Sequence, residues 1–303
     1  MQKTLLVVAG PTAVGKTALC VRLAKELDTD VVSADSRQLY RELAIGTAKP
    51  TPEEMQGVRH HFVDSHSITQ LIGAGHYERE ALAVLDTLFE KKDIVILSGG
   101  TGLYINAVCF GLDDIPEIDP ALRKQLMQRL QTEGLAALQE ELRQRDPVYV
   151  ATADLQNSQR VVRALEVTIQ TGQPFSSFRR QETAPRPFTP VFVALDRPRD
   201  ELYARIDARM DEMLARGLVE EVRSLAAYRH LNALQTVGYK EVFGFLDGEY
   251  DYETMVELLK RNSRRYAKRQ LTWFRNGGNY RWFGAEDAEG VLEYGMNRGG
   301  GPQ

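Results

Sequence analysis

The chain has 303 residues, 43% of them hydrophobic and 26% charged, which suits one large α/β domain with a smaller domain or insertion. Its 38 Lys and Arg against 42 Asp and Glu leave a net charge of −4, so mean composition does not mark a polyanion binder; such a role needs a local concentration of charge. Two distant cysteines in apolar surroundings, Cys20 and Cys109, are the usage of a reducing compartment. No leader pattern and no membrane-length apolar run is present, so the expectation is a cytoplasmic protein with no membrane partner.

The run Leu5 to Ala9 reads as a buried strand, and Ala18 onward as a helix. Between them lies Gly10-Pro11-Thr12-Ala13-Val14-Gly15-Lys16-Thr17, which meets the G-x-x-x-x-G-K-[ST] pattern in its required setting. Such a turn aims backbone N–H groups at an anion, and the helix N-terminus adds positive potential. Lys16 brings a point charge to a polyphosphate, and Thr17 a hydroxyl for its Mg2+. A second short strand, Asp30 to Ala34, delivers Asp35-Ser36-Arg37-Gln38 at its C-terminal end, where ligands gather in parallel sheets. Asp35 there can take a proton or hold a metal-bound water. Thr51 caps a short helix beginning at Pro52. His60 and His61 are adjacent in a short strand, so they face opposite ways; with only His66 and His76 nearby, structural or substrate-orienting roles rank well above zinc.

His76 to Lys92 is an amphipathic helix, and Asp93 to Leu97 a buried strand ending in Ser98-Gly99-Gly100-Thr101-Gly102. The glycines let backbone approach a ligand, and Thr101 offers a neutral donor to a phosphate oxygen or leaving group. No acidic residue follows that strand in the manner of an NTPase. From Asp114 to Pro187 the βαβ alternation gives way to helices over 121–133, 134–144 and 157–171. This segment, 114–187, is expected to be a helical insertion on a core formed by 1–113 and 188–285, with 286–303 a tail whose last residues, 298–303, are frayed. Gln159, Arg160 and Arg163 form one helix face suited to a phosphate backbone; 172–180 is an aromatic, basic, mobile loop. Strand pattern returns at Phe188 to Asp196, followed by helices at 199–215 and 217–225, the second carrying Arg223 as a candidate cationic clamp.

A long helix begins near Asp251. Between Glu257 and Arg281 it carries Lys260, Arg261, Arg264, Arg265, Lys268, Arg269, Arg275 and Arg281 against one acid, a local charge of +7 interleaved with aromatics. A polyanion such as RNA explains this asymmetry better than a solvated face. Three readings stand on these residues: a small-molecule kinase or NTPase, a transferase with a diphosphate leaving group and a nucleic-acid acceptor, and an RNA-binding module with a vestigial phosphate loop. The intact Lys16-Thr17 pair beside Asp35 argues against the third.

GPTAVGKT (10–17), DSRQLYRELAIGTAKP (35–50), HH (60–61), GGTGLY (99–104), NSQRVVRALE (157–166), TVGYKE (236–241) and RRYAKRQLTWFR (264–275), in this order over about 3–283, together resemble the bacterial tRNA dimethylallyltransferases, or tRNA isopentenylpyrophosphate transferases. Val14 stands where that family usually has serine. The resemblance implies an α/β fold, a P-loop nucleoside-triphosphate-hydrolase-like parallel sheet flanked by helices with a helical insertion domain. It implies a monomeric, Mg2+-dependent prenyltransferase moving the dimethylallyl group of dimethylallyl diphosphate to N6 of adenine 37 in the tRNA anticodon stem-loop. By the same resemblance, Gly10 to Thr17 hold the diphosphate and Thr17 the metal. Asp35 is the general base, and Thr101, Lys16 and Arg223 stabilise the leaving group. Asp35, Ser36, Arg37, Gln38, Thr101, Arg123, Gln159, Arg160, Val161, Val162, Arg163, Arg264, Arg265, Lys268 and Arg269 meet tRNA.

Overall fold

The computed structural model describes residues 2–179, 183–277 and 279–298. It divides into two compact units, residues 110–184 and the remainder of the chain; the expected insertion limits of 114 and 187 fall a few residues inside and outside these.

The larger unit is built on β1 (Thr4–Ala9), whose six residues are all buried. A strand apolar on both faces must be central and covered by helices. β1 is followed by α1 (Lys16–Glu26), β2 (Val31–Ser33), α2 (Pro52–Met55), β3 (His60–His61), α3 (Ala74–Phe89), β4 (Ile94–Gly99) and α4 (Gly102–Phe110). Thr51 caps α2 in a reciprocal box with Glu54. The six described strands form one parallel sheet in the order β3-β2-β4-β1-β5-β6, where β5 is Thr189–Asp196 and β6 is Arg281–Gly284. This is the expected P-loop-like α/β architecture. Because every pairing is parallel, the turns after β1, β2 and β4 emerge at one edge.

The smaller unit contains α5 (Pro120–Thr132), α6 (Leu135–Arg145), α7 (Pro147–Val150) and α8 (Ser158–Thr171). Its core joins Leu126, Leu138, Leu142, Tyr149, Leu165 and Phe175. Val161 and Val162 are fully buried in it, so their side chains are not available to RNA as the sequence suggested. Arg123 and Arg163 converge on Glu166, whose carboxylate is fully buried; Arg123 Nη1 donates to both its oxygens, at 2.7 and 3.1 Å, and Nη2 to Gln159 Oε1. A buried carboxylate needs such partners, so these two arginines are ion-paired, while Arg123 stays exposed as Arg160 does and Arg163 is partly exposed. The expected mobile loop at 172–180 is instead pinned: Phe175 is buried, and Ser176 donates its N–H and hydroxyl to Asp146. Arg180 lies outside the described residues.

The chain completes the larger unit with α9 (Arg199–Ala215), α10 (Leu218–Ser224), α11 (Tyr239–Leu246), α12 (Tyr252–Asn276) and α13 (Ala288–Arg298). Asp251 caps α12 by accepting from the Thr254 N–H at 2.9 Å. The expected tail at 286–303 requires correction. Residues 288–298 are helical, Ala288 and Val291 are buried in the core that holds Leu6, Leu19 and Val193, and Gly295 lies against the Leu6 side chain. The glycines at 290, 295 and 299–301 hid a short apolar stripe. The frayed segment expected at 298–303 lies outside the described residues apart from the end of this helix. Truncating the chain after Glu286 is expected to cost at least about 2 kcal/mol of stability through exposed core; an unchanged urea midpoint would show that α13 is dispensable.

Candidate active site

At the C-terminal edge of the sheet is a cavity of about 510 Å3. Its lining includes the turn after β1, the loop after β2, the loop before α2, the inner face of α9, the turn at 236–238 and the α12 residues Ser263, Tyr266 and Gln270.

The turn after β1 needs two unusual backbone positions. Gly10 and Gly15 have φ of 154° and 116°, and a side chain at either is strained. Gly15 leads α1, and no side chain caps that helix, so its first amides remain for an anionic ligand. Thr12, Ala13, Gly15, Lys16 and Thr17 line the cavity. Val14 is buried in the core, and the Gly10 and Pro11 carbonyls accept from Lys16 Nζ at 2.9 and 2.8 Å. Burial lowers the Lys16 pKa to about 8, against the opposing pull of Asp35. Behind it, burial pushes the Cys20 thiol up to about 11, leaving an inert core group.

Asp35 lines the same cavity, so the structure brings the two leading motifs together. Its Oδ1 accepts from the amides of Arg37 and Gln38 at 2.9 and 3.2 Å, which fixes the carboxylate and leaves Oδ2 for a ligand. Arg37 and Gln38 also line the wall. Gln38 Nε2 donates to the carbonyls of Thr47 and Ala48, holding the next loop in place. That loop is fastened from outside by Glu221, whose carboxylate accepts from the amides of Ala44, Ile45 and Gly46 and from the Tyr239 hydroxyl. His60 and His61 face opposite ways as expected: His60 lines the cavity, and His61 pairs with Asp30 at 2.8 Å.

Two expected catalytic residues, Thr101 and Arg223, are not at the cavity wall. The Thr101 hydroxyl accepts from the Ser36 amide at 3.0 Å and donates to Ser36 Oγ at 3.3 Å, so it holds the Asp35 loop. Arg223 is exposed on α10 and does not line the cavity. Besides Lys16 and Arg37, the lining carries the cations Arg205 and Arg209, four apart on α9. Arg205 Nε donates to the Ala13 carbonyl, and Arg209 Nη2 to that of Ala48; burial pulls the Arg209 guanidinium below its usual value without neutralising it. Ile206, Met210 and Met213 on the same helix supply an apolar wall. The i, i+4 arginines beside an apolar i, i+4, i+7 stripe were the overlooked signal.

α12 was expected to be an RNA-facing basic helix, and part of that charge is committed within the protein. Lys260 pairs with Asp211, Arg264 with both oxygens of Asp207, and Arg275 with Asp196. Arg261, Arg265, Lys268, Arg269 and Arg281 are exposed. The opposite face of α12 carries the missed residue Gln270. Buried to 6% exposure, it accepts from the Thr12 amide through Oε1 and donates to the Gly100 carbonyl through Nε2, both at 2.9 Å. Gly100 and Gly102 are small because of this helix: a Cβ at either would collide with Gln270 or Trp273, and one at Gly99 with the Ala34 backbone.

The sequence model of the family described as IPP transferase matches residues 38–277. A tRNA dimethylallyltransferase of Cytophaga hutchinsonii is 56% identical over 283 residues, 93% of each chain. The full-length tRNA isopentenylpyrophosphate transferase of Bacillus halodurans matches with a TM-score of 0.71 at 39% identity, covering 99% of this chain and 96% of its own. A eukaryotic dimethylallyltransferase acting on tRNA matches with a TM-score of 0.77 at 25% identity, covering 98% of this chain and 77% of its own.

Replacing Gln270 with Leu is expected to cost about 1–3 kcal/mol for each polar partner left buried and unpaired, and to weaken binding of inorganic diphosphate. Unchanged diphosphate affinity would show that the glycine loops hold themselves. Lys16 generates a pH signature. An unfolded lysine keeps its proton up to its ordinary value of 10.5, while the folded one loses it at about 8. Between these values the unfolded state binds more protons, so this group makes the free protein gain stability as pH rises. A bound diphosphate favours charged Lys16, so its affinity falls as pH rises above about 8, with proton uptake on binding. Calorimetry in two buffers of different ionisation enthalpy measures that uptake, and its absence above pH 8 contradicts the assignment.

Proposed function

The chain belongs to the IPP transferase family and is a tRNA-modifying prenyltransferase, and we propose that it transfers the dimethylallyl group of dimethylallyl diphosphate to N6 of adenine 37 in the anticodon stem-loop. The observation that carries this reading is the shared cavity. An anion-binding turn, a fixed carboxylate and an apolar wall line it together.

The diphosphate sits on the turn from Gly10 to Thr17, with Lys16 and the α9 arginines Arg205 and Arg209 opposing the charge that develops as it leaves. The five-carbon group lies against Ile206, Met210 and Met213. Thr17, Asp35 and Glu54 supply oxygen donors to the cavity, a set that suits a hard cation such as Mg2+. Bound there, Mg2+ would screen the diphosphate and make it a better leaving group.

The exocyclic amine is a weak nucleophile because its lone pair is delocalised into the adenine ring. Asp35 therefore orients it and takes its proton as the N6–C1 bond forms and the C1–oxygen bond to diphosphate breaks. The adenine leaves its stack to reach this depth. Ser36, Arg37, Gln38 and Thr101 hold the loop that bounds the base. Arg265, Lys268 and Arg269, with Gln159 and Arg160 of the smaller unit, take the RNA backbone. The chain acts as a monomer in the cytoplasm, where its tRNA substrate resides.

The test is incubation of anticodon-stem RNA with dimethylallyl diphosphate and Mg2+, followed by nucleoside mass analysis. Dimethylallyl-adenosine at position 37 is expected. Asp35→Asn should lower turnover at least about 100-fold while RNA binding persists; full turnover sinks the general-base role. Neutralising Arg265, Lys268 and Arg269, with the paired Arg264 left intact, should weaken RNA binding and flatten its salt dependence. ATP hydrolysis with no prenylated adenosine would favour phosphoryl transfer.

A further inference from the structure

The helix α3 and the segment 65–66 bring together three metal-ligating side chains away from the cavity. His66 Nε2 lies 3.1 Å from Glu80 Oε2, and His76 Nε2 lies 2.9 Å from Glu80 Oε1. All three candidate ligand atoms fall within 4.8 Å of one another. The arrangement follows from the helix. Tyr77, Ala81 and Leu85 bury one stripe of α3, which leaves His76 and Glu80, four apart, on the adjoining stripe facing His66. His66 is buried, whereas His76 is exposed and Glu80 half-buried, so the cluster has a closed side and an open one.

We propose that His66, His76 and Glu80 bind a first-row divalent cation, zinc by their chemistry, with water completing the coordination on the open side. Two imidazoles and one carboxylate are a zinc donor set, and two ligands at tetrahedral zinc lie about 3.3 Å apart. The observed separations at Glu80 are already near that value. The second ring nitrogen of His66 is held too: Nδ1 lies 2.8 Å from Ser65 Oγ. With the proton on Nδ1 donated to that hydroxyl, the Nε2 lone pair faces the metal. Without metal, both Nε2–H groups donate to Glu80; on binding, each proton moves to Nδ1 or to solvent and Glu80 becomes a ligand. Mg2+ prefers all-oxygen sites and does not compete well here.

The site is a staple. The backbone of His66 exchanges hydrogen bonds with Leu39 and Arg41, both at 2.9 Å, directly after the segment that carries Asp35. Metal at His66 and α3 ties that segment to the helix without touching the cavity. The proposal does not depend on the prenyl-transfer reading, because its readout is metal binding without RNA or diphosphate.

Untagged chain stripped of metal is titrated with Zn2+ against a chromophoric chelator in excess Mg2+, and separately with Co2+ to read its visible spectrum. One Zn2+ per chain is expected, with a Co2+ spectrum of low coordination number and a raised melting temperature. His76→Ala and Glu80→Gln, both at accessible positions, should each weaken Zn2+ binding by at least about tenfold and remove the Co2+ bands. Asp86→Asn, exposed elsewhere on α3, should bind as the parent does. Zn2+ affinity unchanged in both ligand variants, or lost in excess Mg2+, overturns the site and leaves an ion-paired histidine cluster.

Discussion

The side chain of Gln270 fastens to one helix the two loops that leave β1 and β4, strands already paired as far as Ala9 and Gly99. Its amide can satisfy Thr12 and Gly100 at once only because one end donates and the other accepts. The phosphate-binding turn and the glycine loop after β4 are thus fixed against one helix through a buried side chain. The glycines at 100 and 102 are the geometric counterpart: with any larger residue α12 could not approach. The same loop passes the constraint onward, through Thr101 to Ser36, and so to the segment carrying Asp35.

This makes α12 a helix with two uses. One face is structural and mostly apolar, with Met255, Leu259, Ala267 and Phe274 buried along the helix together with Gln270. Another pairs with acids of α9, Lys260 with Asp211 and Arg264 with Asp207. Partly exposed pairs of this kind contribute little stability individually, but they orient α9. That helix then turns Asp207 and Asp211 toward α12 and Arg205 and Arg209 toward the cavity.

The cavity is electrostatically poised. Lys16, Arg205 and Arg209 share the cavity lining with Asp35 and Glu54, and burial, with a smaller contribution from the Arg209 charge, depresses the lysine against the pull of Asp35. A multivalent anion relieves that repulsion, whereas a neutral ligand does not. The phosphate loop itself is held by its contacts with Gln270, Arg197 and Arg205 and by Lys16 on the Gly10 and Pro11 carbonyls.

Much of this protein could be read from the linear sequence. Strand, glycine turn and helix are local, so GPTAVGKT identified its own geometry, and Asp35 followed because parallel strands send their loops to one edge. The periodic helices of 121–171 and the α9 span were equally legible, since amphipathic spacing is a short-range signal. What only the tertiary structure decided is the partner of each long polar side chain. Arg223 and Arg209 are both arginines on helices, and nothing local says which one meets the cavity. Arg123, Arg163 and Arg264 looked free until Glu166 and Asp207, distant in sequence, were brought against them. Gln270 was hidden among cations for the same reason. Backbone form depends on near neighbours, but the use of a charge or an amide depends on what folding places opposite it.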